Sequence, residues 1–517
     1  MENTNILWAD DEIDLLKPHV LFLEEKGYSV STVNNGHSAL EMVKTTQFDL
    51  VFLDENMPGL SGLETLAKIK ELKPGLPVVM ITKSEEEQIM EDAIGSKISD
   101  YLIKPVNPKQ ILLSIKKNLE TKRLVSEKTT SQYQQEFGSI GMSMSDRLSI
   151  AEWKELYKKL VYWELELEKS SDEGMAGILK MQKSEANNLF CRYVEKNYVN
   201  WVNGKSADPP LMSHQLLKNK VFNHLSDKDP VFLVVIDNLR YDQWKVIEPV
   251  LSEFFNVEKE ELFFSILPTA TQYARNALFA GLMPSEIQRL FPNLWVGDEA
   301  EEGKNLHEEE LLAANLKRMG KNSKISYHKI TTHENGKKLA ENISNLMNNQ
   351  LNVIVYNFVD MLSHARTEME VIRELADDVT AYRSLTLSWF EHSPLFDIFR
   401  HISEKKCKVI IATDHGTVHV KEPIKVIGDR NTNTNLRYKQ GRNLNYNAKE
   451  VFEVKNPADV FLPKVNVSTS YVFAKEDKFF AYPNNFNYYV QYYKDTFQHG
   501  GISMEEMIIP VITLVSK

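Results

Sequence analysis

Apolar runs of strand length recur along this chain, and several end in an acidic residue. Over the first 105 residues NILWA, YSVSTV, DLVFLD, PVVMIT and DYLIKP alternate with stretches of helical spacing such as GLETLAKIKELK. So regular an alternation predicts a doubly wound parallel sheet, and in such a sheet the functional side chains collect at the carboxyl ends of the strands. The pattern returns farther on as VFLVVID, LNVIVYNFVD and KVIIATDHG, in what reads as a larger α/β region.

Between the two regions the pattern changes. Residues 107–128 continue as a helix, 126–146 lack an apolar period and read as a connector, and 147–205 are helical and rich in Trp and Tyr. The breakers NGKSADPP end that segment, which reads as a small helical bundle and a hinge or dimer element. A chain of 517 residues exceeds one ordinary core. The expected domains are 1–122, 123–205 and 206–517, the last with an irregular stretch at 421–498.

Composition excludes several classes. The net charge of -11 argues against non-specific wrapping of nucleic acid. Cys191 and Cys407 are isolated, so neither a disulfide framework nor a cysteine zinc site is expected, and a reducing cytoplasm suits them. The start MENTNILWADDE has no signal-peptide character, and no apolar run approaches the ~20 residues that span a bilayer. A cytoplasmic protein is expected.

The first rim carries a recognisable chemistry. Asp10 and Asp11 follow the first strand, Asp54 ends the third, Thr82 the fourth and Lys104 the fifth. Carboxylates packed together repel and call for a hard divalent cation, Mg²⁺ in a cell. Mg²⁺ and Lys104 would neutralise phosphate oxygens while Asp54 attacks, and Thr82 would bond the new phosphoryl group. The motifs ADDE, LDENMPG, ITKS and YLIKP resemble those of receiver domains of two-component response regulators. That resemblance implies a flavodoxin-like (βα)5 fold with Asp54 as phospho-acceptor. It also implies Mg²⁺ held by Asp10, Asp11, Asp54 and the backbone carbonyl of Asn56. Lys104 becomes the phosphate-binding lysine, followed by a cis proline, with Thr82 and Tyr101 as the switch pair.

The second rim gathers Asp237, Asp360 with His364, Asp414 with His415, and His499 from QHGG. Each has a plainer reading alone: Asp237 as a helix cap, Asp360 and His364 as an i, i+4 pair, His499 in a turn. Together the acids would destabilise one another without cations, and imidazoles among them favour Zn²⁺ over Mg²⁺ or Ca²⁺. Order and spacing resemble the alkaline-phosphatase superfamily, and within it the PglZ-type domain. The resemblance implies one zinc on Asp360, His364 and His499 and another on Asp237, Asp414 and His415. Thr271 of LPTAT would be the nucleophile on the second zinc, in preference to Thr269. Arg275, one turn on, either contacts phosphate or is a solvated helix arginine; Asn238 and Arg240 are lesser candidates. Without a third-metal site, a phosphodiester is preferred to a monoester. The strip GDRNTNTNLRYKQGRNLNYN, with Arg430, Arg437, Lys439 and Arg442, either guides an oligonucleotide or is a solvated lid.

A receiver, a helical linker and a PglZ-type domain in this order resemble the PorX-type response regulators. That resemblance implies a sensor histidine kinase as phosphate donor and a homodimer on phosphorylation. It further implies regulation of type IX secretion and gliding, through a sigma factor or a secretion-motor protein. Two readings compete: a phosphorylation-controlled zinc phosphodiesterase for cyclic or linear oligonucleotides, and a non-enzymatic scaffold that binds those proteins. The full ligand set favours the enzyme. No helix-turn-helix segment follows the receiver, so direct DNA binding is not expected.

Overall fold

The computed structural model describes residues 4–73, 75–83, 98–144, 147–170, 173–226, 229–298, 300, 303–362, 378–429 and 432–517. Two compact units divide the chain, one of residues 1–135 with 169–172 and one of 136–168 with 173–517.

The first unit holds β1 (Asn5–Ala9), β2 (Ser29–Val33), β3 (Leu50–Asp54), β4 (Val78–Thr82) and β5 (Asp100–Ile103), all parallel in the order β2-β1-β3-β4-β5. Every residue of β3 and β4 is buried, as expected of parallel strands covered on both faces. The helices α1 (Lys17–Glu25), α2 (Gly36–Thr45) and α3 (Gly62–Leu72) supply that cover. A capping box starts α3, the Ser61 hydroxyl accepting from the Glu64 N–H and the Glu64 carboxylate from the Ser61 N–H. A Cβ at Gly62 would lie 2.4 Å from the Asp54 carbonyl oxygen, so only glycine lets α3 begin so close to the end of β3.

Of the expected connector at 126–146, residues 126–143 are instead helical. One helix, α4, runs from Pro108 to Ser143. Lys, Glu and Gln are good helix formers and no proline follows Pro108, so the run continues without an apolar stripe of its own.

In the second unit α5 (Ile150–Ser170) and α6 (Glu173–Val202) share a core with the α/β region. Trp153 meets Phe190 at 5.3 Å, and Phe190 and Trp201 meet Phe264 at 5.9 and 5.8 Å. The expected helical segment is present, and its aromatic side chains contribute to this shared core.

The chain then runs through β6 (Val231–Ile236), α7 (Tyr241–Leu251), β7 (Phe255–Phe264), α8 (Thr271–Ala280), α9 (Glu308–Arg318), β8 (Ile325–Ile330), β9 (Leu351–Tyr356), α10 (Val379–Glu391) and β10 (Lys408–Ala412). The stretch expected to be irregular is structured. After β11 (Val418–His419) it contains β12 (Glu422–Lys425), β13 (Tyr438–Gly441), β14 (Val451–Val454), β15 (Ser470–Ala474), β16 (Lys478–Ala481) and β17 (Phe497–Gln498). Of these, β13, β15 and β14 form an antiparallel sheet, and β12 pairs with β16. Last comes β18 (Ile508–Ser516), which completes a sheet of order β7-β18-β10-β6-β9-β8. Strands β10, β6, β9 and β8 are parallel, so the ends of β10, β6 and β9 are neighbours on one rim. Among the described residues no helix is long and apolar enough to cross a membrane.

Candidate functional site

On the first rim Asp10 follows β1, Asp54 closes β3 and Lys104 follows β5. The Lys104 ammonium lies 2.8 Å from Asp10 Oδ2 and 2.7 Å from Asp54 Oδ1. Carboxylate oxygens of Asp10, Asp11 and Asp54 come within 4.8 Å of one another, Asp11 being exposed and the other two buried. The N–H of exposed Asn56 donates to Asp54 Oδ2 at 3.1 Å. Burial raises the Asp54 pKa, and the bond to Lys104 only partly opposes it. Burial works against the Lys104 charge, but its bonds to Asp10 and Asp54 prevail and raise its pKa. Buried Thr82 hydrogen-bonds the half-buried Tyr101, and the Lys104–Pro105 bond is cis.

The second rim is more deeply enclosed. Asp237, Asp414 and His415 are buried, and their ligating atoms lie within 4.8 Å of one another. The turn after β6 makes this possible: Asn238 takes a left-handed φ of 66° and its N–H donates to Asp414 Oδ1 at 3.2 Å. The next N–H, of Leu239, donates to Thr413 Oγ1 at 3.0 Å, so the two strand-end loops are stitched together. A Cβ on Gly416 would sit 2.1 Å from the Glu505 carbonyl, so that loop packs as closely as backbone allows.

Thr271 opens α8. Its hydroxyl lies 3.0 Å from His415 Nε2 and 3.4 Å from Asp237 Oδ1. Thr269 is fully buried, and its hydroxyl donates to the Gly501 carbonyl at 2.8 Å. Asp360 and His499 border the cluster. His499 Nε2 is 3.6 Å from Asp360 Oδ1, the His415 and His499 rings stack at 4.2 Å, and Asn238 donates to Asp360 at 3.3 Å. His364 lies outside the described residues.

Two features fit a bound cation. Asp414 Oδ2 is buried without a hydrogen-bond partner among the described residues, its closest guanidinium nitrogen lying 3.8 Å away on Arg275. Burial raises the pKa of both Asp237 and Asp414, Arg275 opposes, and repulsion from Asp360 adds to the rise in each, which a bound cation would relieve. His415 Nδ1 lies 3.2 Å from the Gly416 carbonyl; donating there leaves Nε2 unprotonated toward Thr271, and burial keeps the ring neutral.

Arg275 departs from both readings made of it. It is 1% exposed, and rather than facing phosphate its Nη1 lies 2.7 Å from Asp237 and its Nε 2.6 Å from Glu308. Glu308 is held in turn by Lys329 at 3.0 Å and by the Tyr327 hydroxyl. Sequence reading missed Glu308, which opens the run EEELLAANLKR and looks there like any acid in a first helical turn. Arg240 is also no phosphate contact. It forks onto Asp242 and lies over the rings of Tyr382 and Phe497 at 5.5 and 5.3 Å.

The basic strip does not form. Arg437 is buried and bonded to Glu506 at 2.6 Å. Lys439 is buried, donates to the Asn433 carbonyl at 3.0 Å, and is pushed by burial to about 7. Arg442 alone of the described members is exposed, and Arg430 lies outside the described residues.

Comparison with known proteins adds three family matches. The response regulator receiver domain matches residues 6–116, the PorX response regulator linker domain residues 123–202, and the BREX system PglZ alkaline phosphatase-like domain residues 216–514. The transcriptional regulatory protein ZraR of Escherichia coli (strain K12) is 32% identical over 142 residues, 28% of this chain and 32% of that protein. The alginate biosynthesis transcriptional regulatory protein AlgB of Pseudomonas syringae pv. tomato is 37% identical over 119 residues, 23% and 27% of the two chains. The chain thus spans about a third of the length of these curated relatives. Among solved structures, a CheY-like receiver domain from Methanospirillum hungatei JF-1 matches at 28% identity and a TM-score of 0.23, covering 23% of this chain and 96% of that one. A two-component response regulator from Clostridium difficile matches at 31% identity and a TM-score of 0.22, covering 23% and 97%.

Proposed function

This chain belongs to the PglZ alkaline-phosphatase-like family and is a PorX-type response regulator, and from that premise we propose that it is a phosphorylation-controlled, zinc-dependent phosphodiesterase acting on cyclic or linear oligonucleotides. The domains are then 1–122, 123–205 and 206–517. The observation that carries the reading is the Thr271 hydroxyl, 3.0 Å from His415 and facing an acid pocket in which Asp414 Oδ2 lacks a hydrogen-bond partner among the described residues.

Asp237, Asp414 and His415, with Thr271, would hold one zinc, and Asp360 and His499, with His364, the other. Bound there, the two ions supply the positive charge that lowers the pKa of a hydroxyl and stabilises a leaving oxygen. The remaining work belongs to the chain. Thr271 sits at the first turn of α8, where the helix dipole favours negative charge on its oxygen. Its Oγ attacks phosphorus in line, the departing nucleoside oxygen leaves, and water later cleaves the phospho-threonine. Arg275 fixes the Asp237 carboxylate, and Glu308 fixes Arg275.

Zinc content and bis(p-nitrophenyl) phosphate turnover test this together. Thr271→Ala is expected to keep its zinc and lose about 10³-fold or more in kcat. A variant with full metal and full activity removes Thr271 as nucleophile.

A receiver domain implies a histidine kinase as partner. We assign Asp54 as its target, Mg²⁺ to Asp10, Asp11, Asp54 and Asn56, and the switch to Thr82, Tyr101 and Lys104. Phosphorylation would drive homodimerisation in the cytoplasm and so present the protein to a sigma factor or a type IX secretion-motor protein. Sedimentation with and without beryllofluoride checks the switch: the mass is expected to double, and an unchanged mass removes dimerisation.

A further inference from the structure

A cavity of about 180 Å³ opens beside α8, lined among others by Tyr273, Gln288, Trp295, Asp298 and Gln440. Tyr273 follows Thr271 by two positions, so the helix that presents the hydroxyl also forms a wall of this cavity. None of the functions described above uses it.

Its polar groups are unspent. Trp295 is 8% exposed, and its indole N–H has no hydrogen-bond partner. The side-chain amides of Gln288 and Gln440 have none among the described residues either. The backbone of Gln440 is fixed by Asn433, whose side-chain carbonyl accepts its N–H at 3.1 Å. The Trp295 N–H is shut off from solvent, so the hydrogen-bonding groups that line the accessible volume are the amides of Gln288 and Gln440.

The lining also restricts what can enter. Among the described residues no Lys, Arg or His lines the cavity, which disfavours a phosphate or carboxylate. Asp298 is already engaged: the Tyr273 and Tyr438 hydroxyls and the Asn433 amide all donate to it, at 3.0–3.1 Å. An ammonium ligand would find that carboxylate saturated. Trp295 and Tyr273 meet edge to face at 5.7 Å and present flat apolar surface. The volume is below the roughly 300 Å³ at which pockets for drug-sized ligands begin, so it suits one ring system rather than a whole nucleotide.

We propose that this cavity is a nucleobase subsite, taking an uncharged heteroaromatic ring against the faces of Trp295 and Tyr273, with the amides of Gln288 and Gln440 reading its polar edge. The identity of that ring as part of a substrate rests on the phosphodiesterase reading; its binding does not. A base held here would be tethered through α8 to the position of Thr271.

Saturation-transfer NMR on the full chain tests this with guanosine, adenosine, cytidine and uridine, and with ribose 5-phosphate as a probe lacking a base. At least one nucleoside is expected to show transfer to its base protons, and ribose 5-phosphate none. Gln440→Ala, and Trp295→Ala, which removes an aromatic wall, should each weaken that binding by about tenfold. Thermal unfolding identifies a variant that has failed to fold, and Gln288→Ala then takes its place. Absence of transfer for every nucleoside, or unchanged affinity in folded variants, overturns the proposal. Bis(p-nitrophenyl) phosphate turnover on the same wild-type sample keeps the two ideas apart. Base binding without turnover sinks the hydrolase and supports the cavity; turnover without base binding overturns the cavity alone.

Discussion

Both units gather acids at the carboxyl ends of parallel strands, and both set a basic side chain among them. The difference lies in what holds that base. In the receiver, Lys104 is 11% exposed and among the described residues pairs with Asp10 and Asp54, at the open edge of a rim. In the effector, Arg275 is 1% exposed and clamped from behind by Glu308, itself held by Lys329 and Tyr327. A compact ammonium on a flexible stem suits a site where a phosphoryl group comes and goes; a planar guanidinium bonded on two sides suits a site whose geometry must not change. On the phosphorylation proposed above, one rim alters its charge and the other keeps it.

The contrast breaks outright if Asp54 is not the group that changes. Asp54→Asn is expected to abolish labelling by a small phosphodonor such as acetyl phosphate, read on a phosphate-affinity gel, while zinc content stays at the wild-type value. Residual labelling would move the acceptor to another residue.

The next largest effect concerns Arg275. Its removal leaves Asp237 and Glu308 buried without their main counter-charge, and breaking one partner of such a network costs about 3–5 kcal/mol. Arg275→Met should lower the opening free energy of β6 and β10 by that amount, measured by hydrogen exchange without added metal. Zinc should restore part of the loss, since a cation would again sit among the acids. A loss confined to kcat, with exchange unchanged, would make Arg275 a substrate contact after all.

A pH dependence separates the units further. Burial lowers the pKa of His214 in the effector from the ordinary value of 6.5 to about 4. The unfolded chain therefore binds the extra proton first, and effector stability falls as pH drops from 6.5 toward 4. One such proton contributes at most about 1.4 kcal/mol per pH unit, and His214→Gln should flatten the slope over that window. Exchange in β6 against exchange in β3 reads this directly, and an unchanged slope in His214→Gln refutes it.

How much of this contrast was legible in the sequence depends on how each residue announces itself. The acids of both rims close apolar runs, and a run of strand length ending in Asp at a sheet edge can be read without coordinates. The turn that opens a helix offered Thr269 and Thr271 alike, and only the family resemblance preferred Thr271. Arg275 and Glu308 were not, because each sits in a helix among polar neighbours and their pairing spans 33 positions. The 428–447 stretch misled in the opposite direction. Basic residues interleaved with aromatics describe a nucleic-acid strip and a buried ion pair equally well, and only Glu506, 69 positions from Arg437, decides between them. Helix α4 eluded pattern reading because a continuous helix made of good formers needs no apolar period.

The smallest effect is the most discriminating. Lys104→Met removes a cation from between Asp10 and Asp54, yet Asp11 beside them is exposed and water or Mg²⁺ can reach the rim. The stability cost in β3 should therefore be only about 1 kcal/mol, the scale of a partly screened ion pair, and it should vanish when Mg²⁺ is present. Phosphoryl transfer to Asp54 should slow all the same, because the charge that Lys104 offers phosphate oxygens is lost. The pairing of a small structural effect with a clear kinetic one would mark an ammonium kept for chemistry. A loss as large as that of Arg275→Met, persisting in Mg²⁺, would mean that the receiver's base is as structural as the effector's, and the distinction between the two rims would fail.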